Sequence, residues 1–108
     1  MTTDRLRTLR EFVERFPEDA RARYFLATEL HKTGDWAGAA REYAAYFDLG
    51  ASDEGYGYRN LGECLFRLGN EEEGRLACER GIEAALRHRH DGLADEIRSV
   101  LEDLGGHA

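Results

Sequence analysis

The sequence predicts an all-α fold, a right-handed stack of antiparallel helical hairpins with about six helices. The chain has one proline among 108 residues, as expected where helices dominate, because proline breaks helix interiors. Its apolar residues recur at steps of three and four, the period of a helix that buries one face. A leucine, a glycine turn and a new helix start also occur twice, with Gly34 and Gly69 35 positions apart. A repeat of this length is typical of stacked helical hairpins.

The first helix is predicted over residues 3–16. Pro17 ends it, because a residue that precedes proline avoids the helical conformation. Its apolar residues lie three or four positions apart and therefore share one face. This face consists of Leu6, Leu9, Phe12, Val13 and Phe16.

The second and third helices form the first predicted hairpin. Glu18 and Asp19 are expected in the first turn of the second helix, where negative charge complements the helix dipole. Gly34 ends this helix, and Asp35 caps the third, from Trp36 to Phe47. The residues expected to face inward are Ala22, Leu26 and Leu30 in the second helix and Ala39, Ala40, Tyr43 and Phe47 in the third.

The same cycle then restarts. Ser52 or Asp53 is predicted to cap the fourth helix, which Gly69 ends. Asn70 is predicted to cap the fifth helix, whose acidic first turn, Glu71 to Glu73, suits the helix dipole. The fourth helix is expected to bury Tyr58, Leu61, Leu65 and Leu68.

A sixth helix is predicted over residues 91–104, and the final GGHA is expected to be frayed. One side of this helix holds Leu93, Ile97, Val100, Leu101 and Leu104. We expect a single domain over residues 1–108, because a chain of this length builds one modest core.

In this register the chain resembles the tetratricopeptide repeat (TPR) family, whose pattern is W-x2-L-G-x2-Y followed by small, aromatic, small and proline positions. Residues 20–53 match repeat one and residues 55–88 match repeat two. Residues 3–16 resemble the closing half of a preceding repeat, and residues 91–104 resemble the capping helix of such arrays. The matching residues are Leu26, Ala27, Leu30, Gly34, Asp35, Ala39 and Tyr43, then Tyr58, Leu61, Gly62, Leu65, Gly69, Gly74, Cys78 and Gly81.

The chain departs from the family pattern at several places. Arg23 replaces the first aromatic residue, Tyr46 occupies a usually small position, and Ala51 replaces the closing proline. Gly74 and Gly81 are unfavourable inside a helix. These departures are expected to loosen the packing.

The resemblance implies a non-enzymatic module that binds a protein or peptide in a concave groove. The family's ligand-contacting positions correspond here to Arg21, Tyr24, Phe25, Thr28, His31, Lys32, Tyr56, Arg59, Asn60, Glu63, Phe66 and Arg67. With a protonated His31, this set has five basic groups and one acid in a chain of net charge −7. The expected ligand is therefore an acidic segment. The alternative interpretation is that Phe25 packs in the core and the arginines are ordinary helix-surface residues, and Phe25 is left out of the predicted binding residues.

Charge and hydropathy exclude two partner classes. Residues 51–108 contain 7 basic and 13 acidic groups, whereas nucleic-acid binding needs a basic surface. No apolar run approaches the roughly 20 residues of a membrane span, and no secretory leader is recognisable. We therefore expect a cytoplasmic protein with neither nucleic acid nor membrane as a partner.

No catalytic, cofactor or metal site is predicted. Cys64 and Cys78 lie within helical patterns and are interpreted as buried, reduced thiols. The segment GYGYRNLG lacks the preceding strand that a phosphate-binding loop requires. In RHRHD, His88 and His90 alternate and would point to opposite sides of a helix, so basic groups at a helix C-terminus are the simpler interpretation.

A second interpretation stays open, in which the chain is a structural protein that associates with itself, as a homodimer for example. Short helical arrays leave their terminal faces poorly covered, so exposed apolar residues on the first or sixth helix would favour self-association. An enzyme is the third choice, because the sequence presents neither a nucleophile beside a base nor a pair of carboxylates.

Overall fold

The computed structural model describes residues 2–105, with side chains for residues 4–105. This part of the chain contains six α-helices and a final π-helical segment, and it has no strand. The elements are α1 (Thr2–Arg15), α2 (Ala20–Lys32), α3 (Trp36–Asp48), α4 (Tyr56–Arg67), α5 (Glu71–Arg87), α6 (Asp91–Val100) and the π-helical segment Leu101–Gly105. The all-α prediction with about six helices is confirmed. The stacking of hairpins into a solenoid stays a prediction.

The chain divides into two compact units. Unit 1 is Met1–Ala51 and contains α1 to α3, and unit 2 is Ser52–Ala108 and contains α4 to α6 with the π-helical segment. In unit 1, α2 packs against both α1 and α3. In unit 2, α5 packs against both α4 and α6. The single domain expected over residues 1–108 stays a prediction.

Helices α2 and α4 end in the same hydrogen-bonded turn. In each, the glycine N–H donates to the carbonyl three residues earlier and the next N–H donates to the carbonyl five residues earlier, at 2.9 to 3.1 Å. The glycines, Gly34 and Gly69, have φ angles of 81° and 85°, in the left-handed region where glycine is favoured. Helix α5 ends with the same two bonds, but Arg89 takes the glycine's place at φ 58°.

The predicted helix caps are partly confirmed. Asp35 caps α3, because the Gly38 N–H donates to its Oδ1 at 2.9 Å. Asp19 was expected inside the first turn of α2; instead it precedes the helix and accepts from the Ala22 N–H at 3.0 Å. The first N–H groups of a helix have no carbonyl partner within the helix. A carboxylate at the cap position accepts a hydrogen bond from one of them, whereas a carboxylate one residue further along the helix could not.

The caps of unit 2 differ more from the prediction. Gly55 occupies the cap position of α4, and Asp53 accepts from the N–H groups of Gly55 and Gly57 at 2.7 and 3.0 Å. Neither Ser52 nor Asp53 therefore occupies the predicted cap position, although the Asp53 carboxylate accepts from the first N–H groups. Asn70 lies at the cap position of α5 as predicted, but its side chain makes no cap hydrogen bond.

The core of unit 1 lies between α2 and α3. Its buried residues are Ala22, Leu26, Ala27, Leu30, Ala39, Ala40 and Tyr43, joined by Val13 from α1. Two ion pairs connect the helices: Arg5 with Glu29 across α1 and α2, and Arg23 with Glu42 across α2 and α3, both at 2.9 Å. Of the apolar face predicted for α1, Val13 is buried, whereas Phe12 and Phe16 are 44% and 47% exposed.

The core of unit 2 gathers residues from α4, α5 and α6: Phe66, Cys78, Ala85, Leu93, Ala94 and Ile97. Glycines allow the helices to approach closely. A Cβ on Gly74 would lie 2.9 Å from the Phe66 ring, and one on Gly62 would lie 2.5 Å from the Cys78 Sγ. This close packing explains why glycine occurs at both positions, although glycine is unfavourable inside a helix. Leu68, predicted to be buried in α4, is 41% exposed.

The predicted last helix, residues 91–104, is two segments. Helix α6 ends at Val100, and the π-helical segment Leu101–Gly105 follows. Gly105 is buried against the Phe66 ring, so it is not part of a frayed tail. The other three residues of the predicted tail lie outside the described residues.

Candidate functional site

The binding residues predicted on α2 fall into two groups. Tyr24, Thr28 and His31 are partly buried and face Tyr43 of α3. The Tyr43 Oη lies 3.2 Å from His31 Nδ1 and 3.5 Å from Thr28 Oγ1. Because Tyr43 is fully buried, these contacts supply its hydroxyl with polar partners and fix α2 against α3. This first group therefore has a structural role in the hairpin.

Aromatic rings continue along the same side of the hairpin. The Tyr24 ring centroid lies 5.6 Å from that of Tyr43 and 5.0 Å from that of Tyr46. His31 meets the Trp36 ring edge-on at 5.6 Å. Edge-on and tilted contacts at these distances add to the hydrophobic packing of the rings. A substitution at Tyr24 would therefore disturb the α2–α3 hairpin itself.

The second group, Arg21 and Lys32, is exposed. Lys32 Nζ lies 4.0 Å from Glu29 Oε1, the atom that also accepts from Arg5. The Glu29 side chain is only 7% exposed, and two basic partners offset the free energy of burying its charge. Among the described residues Arg21 makes no ion pair. It borders a pocket that the sequence did not predict.

This pocket lies between α1 and α2. It is shallow, has a volume of about 270 Å³ and is lined by Leu9, Phe12, Asp19, Arg21, Ala22 and Phe25. Phe25, for which core packing was the alternative interpretation, is 47% exposed. The Phe12 and Phe16 ring centroids lie 4.8 Å apart, so Phe16 extends the apolar area beyond the pocket. We call Leu9, Phe12, Phe16, Arg21 and Phe25 the α1–α2 surface.

In unit 2, two of the predicted binding residues of α4, Tyr56 and Arg59, contact α6 and its N-terminal cap. The Tyr56 ring lies 5.7 Å from the His90 ring. Arg59 Nε lies 3.4 Å from Glu96 Oε1, without the geometry of a hydrogen bond. Arg59 Nη1 donates to Asn60 Oδ1 at 3.1 Å. We interpret the contact of Arg59 with Glu96 as an electrostatic one, because the atoms are close and opposite in charge.

Of the remaining predicted residues of α4, Glu63 and Arg67 pair with each other and Phe66 is buried. Arg67 pairs with Glu63 one turn away at 3.3 Å. Phe66 is a correction: it was predicted to contact a ligand, but it is 8% exposed and packs against Gly74 and Gly105. Sequence reasoning missed this because Gly105 is distant along the chain and lies in a tail that was expected to be frayed.

The basic character predicted for the binding residues is therefore largely neutralised. Lys32, Arg59 and Arg67 each lie within 4.0 Å of a carboxylate oxygen. Glu96 was missed because it lies on α6, 37 positions after Arg59, and local spacing gives no signal for such a pair. The preference for an acidic ligand loses much of its support.

The two cysteines are free and buried. Burial raises the pKa of the Cys64 thiol to about 12, and the nearby Glu63 carboxylate adds to this. Burial likewise raises the pKa of Cys78 to about 11. Both are protonated at neutral pH, and a protonated thiol is a poor nucleophile. The interpretation of these residues as buried thiols is confirmed.

The segment RHRHD spans the end of α5 and the start of α6. His88 caps the end of α5, and His90 occupies the cap position of α6 with Nδ1 3.8 Å from Glu54 Oε2. Among the residues with described side chains, no group of three or more histidines, cysteines and acids lies close enough to hold a metal ion. Within the same part of the chain, no helix has the length and hydropathy needed to cross a membrane.

In comparisons with family models, curated proteins and solved structures, the chain has no match.

Proposed function

We propose that the chain is a non-enzymatic, TPR-like protein-interaction module that binds a protein partner through the α1–α2 surface. The observation that supports this most is the half-exposed cluster of Phe12, Phe16 and Phe25 beside Arg21. Aromatic and arginine side chains are the usual anchors of protein interfaces, because each buries a large area and arginine also forms several hydrogen bonds.

The TPR-like arrangement is supported by the repeated helix ending. Gly34 and Gly69 terminate α2 and α4 with identical hydrogen bonds, at equivalent places of the two sequence repeats. Helical hairpins of this kind bury their apolar faces by stacking on one another. A hairpin face that lacks such a neighbour presents apolar side chains to solvent, and the α1–α2 surface fits this description.

This proposal moves the binding site away from most of the residues first predicted. Arg21 is retained because it is exposed on α2 and borders the pocket, and Phe25 joins it. Tyr24, Thr28 and His31 support the hairpin, and Phe66 belongs to the core of unit 2. We further propose that the module acts in a reducing compartment such as the cytoplasm, because free buried thiols suit such surroundings.

A peptide-library selection on the purified chain tests the proposal. Selected peptides should bind the Phe25→Gln variant at least about tenfold more weakly, because the interface loses an aromatic anchor. Gln keeps a high helix propensity. Leu86→Gln is the matched control, since Leu86 in α5 is 46% exposed, close to the 47% of Phe25. Peptides that bind both variants as well as the unmodified chain would contradict the proposal.

A further inference from the structure

We propose that the partner on the α1–α2 surface is a second copy of this chain, related by a two-fold axis, with the two α1 helices antiparallel. This inference depends on the proposed function of that surface. Two-fold dimers are the commonest oligomers, and their interface must be complementary to itself. The apolar residues and the charges around them both meet this condition.

The apolar part of the surface has the size of an interface centre. Phe12, Phe16 and Phe25 are 44%, 47% and 47% exposed, so together they present about 280 Å² if a whole aromatic side chain has about 200 Å². A standard interface buries about 800 Å² on each partner. The three rings would supply the central third, and the polar residues around them would supply the rim.

The charges along the outer edge of α1 are arranged for an antiparallel copy. Asp4 and Arg15 are both exposed and eleven positions apart, which is close to three helical turns, so they lie on the same edge about 16 Å from each other. Asp4 is acidic and lies near the N-terminal end of α1, and Arg15 is basic and lies near its C-terminal end. An antiparallel α1 therefore places each Asp4, which also pairs with Arg7 of its own helix at 3.1 Å, opposite the other copy's Arg15. The helix dipoles of the two α1 helices also oppose each other favourably.

The charges near the rings argue against a strongly acidic or basic partner. Arg15 lies with its guanidinium 5.7 Å from the Phe16 ring centre, and Arg21 borders the pocket beside Phe25. Asp19 lines the same pocket. A rim that carries both signs suits a surface that also carries both signs, and another copy of this chain has such a surface.

Sedimentation equilibrium of the full chain over about 1 µM to about 1 mM tests the inference, a range that covers weak and moderate dimers. We expect the mass to approach twice the 12.3 kDa of one chain. Phe12→Gln and Phe25→Gln should each weaken the dimer about 100-fold or more, because each substitution occurs twice in a symmetric interface. Leu86→Gln should leave the dissociation constant unchanged. Circular dichroism verifies that each variant is folded, and two variants on different helices guard against a local folding defect.

A charge exchange tests the antiparallel arrangement. Asp4→Arg and Arg15→Asp chains should each dimerise about tenfold more weakly, because two attractive contacts become repulsive. A mixture of the two chains should form a heterodimer with restored affinity, since every pair then joins opposite charges. A mixture no tighter than the single variants would overturn the antiparallel arrangement.

The outcomes separate this inference from the proposed function. A monomer at every concentration would overturn the dimer, and peptide binding that depends on Phe25 would then still support the proposed function. A dimer that forms equally well with Phe12→Gln and Phe25→Gln would overturn the placement of the partner on this surface. A monomer whose peptide binding is also indifferent to Phe25 would contradict both.

Discussion

Substitution of Gly62 by alanine gives a sharp test of how α4 and α5 pack. A Cβ at this position would lie 2.5 Å from Cys78 Sγ and 3.3 Å from the Gly74 carbonyl oxygen. Nonbonded carbon contacts are most favourable at about 3.5 to 4.0 Å, so the two helices would have to separate by about 1 Å. Cys78 is fully buried, so its sulfur has little room to rotate away, and the carbonyl is part of the helix backbone.

Two effects of Gly62→Ala oppose each other. Alanine favours the helix by about 1 kcal/mol over glycine, whereas overpacking a close contact costs about 1 to 3 kcal/mol. Because the closest contact is to the sulfur of a fully buried residue, we expect overpacking to dominate. The free energy of unfolding should fall by about 1 to 2 kcal/mol, which lowers Tm by about 5 to 15 °C for a domain of this size.

Urea unfolding followed by circular dichroism measures this change. Gly92→Ala is the control, since nothing lies within 4 Å of a Cβ there, and it should raise stability by about 0.5 to 1 kcal/mol. In the double variant Gly62→Ala, Cys78→Ala, the two losses of stability should not add. The coupling energy between the substitutions should be about 1 kcal/mol or more, because the clashing sulfur is gone. A Gly62→Ala variant as stable as Gly92→Ala would refute the close packing of α4 on α5.

Three further predictions concern single groups. Arg89→Gly should raise the free energy of unfolding by about 0.5 to 1 kcal/mol, because the φ of 58° at this turn disfavours a side chain; a thermal melt that is unchanged or lower would contradict this. Tyr43→Phe should lower the free energy of unfolding by about 1 kcal/mol, because the Tyr43 hydroxyl lies 3.2 Å from His31 Nδ1. Chemical denaturation measures this loss, and an unchanged free energy would mean that the hydroxyl is not bonded. Cys64 and Cys78 have pKa values raised from 9.0 to about 12 and about 11. The folded state therefore keeps protons that the unfolded state releases above pH 9, so stability should fall with rising pH by at most about 1.4 kcal/mol per pH unit for each thiol. A Cys64→Ala, Cys78→Ala chain should show a shallower fall, and an equal fall in both chains would contradict the burial.

The sequence predicted the local features of the fold well. The spacing of apolar residues located the six helices, and Gly34 and Gly69 were correctly identified as turn residues. These features depend on a few neighbouring residues: a glycine tolerates the left-handed conformation, and a short polar side chain caps a helix. Asp35 is a direct example, since its carboxylate bonds to an N–H three residues away.

The candidate site was harder to predict, because it depends on which helix covers which face. Spacing showed that Phe12 and Phe16 share a face of α1, but a period cannot tell whether another helix covers that face. The partner of Arg59 is Glu96, on a different helix, and the burial of Phe66 depends on Gly105. These contacts arise from tertiary packing between residues that are distant in sequence.

The most direct measurement of the central claim is a dilution series of ¹H–¹⁵N NMR spectra of the full chain. If the α1–α2 surface binds a second copy, the amide shifts that change with concentration should be concentrated in α1 and the first half of α2, around Phe12, Phe16 and Phe25. The amides around Leu86 of α5 should not move. Shifts that are independent of concentration, or changes concentrated in unit 2, would contradict the claim.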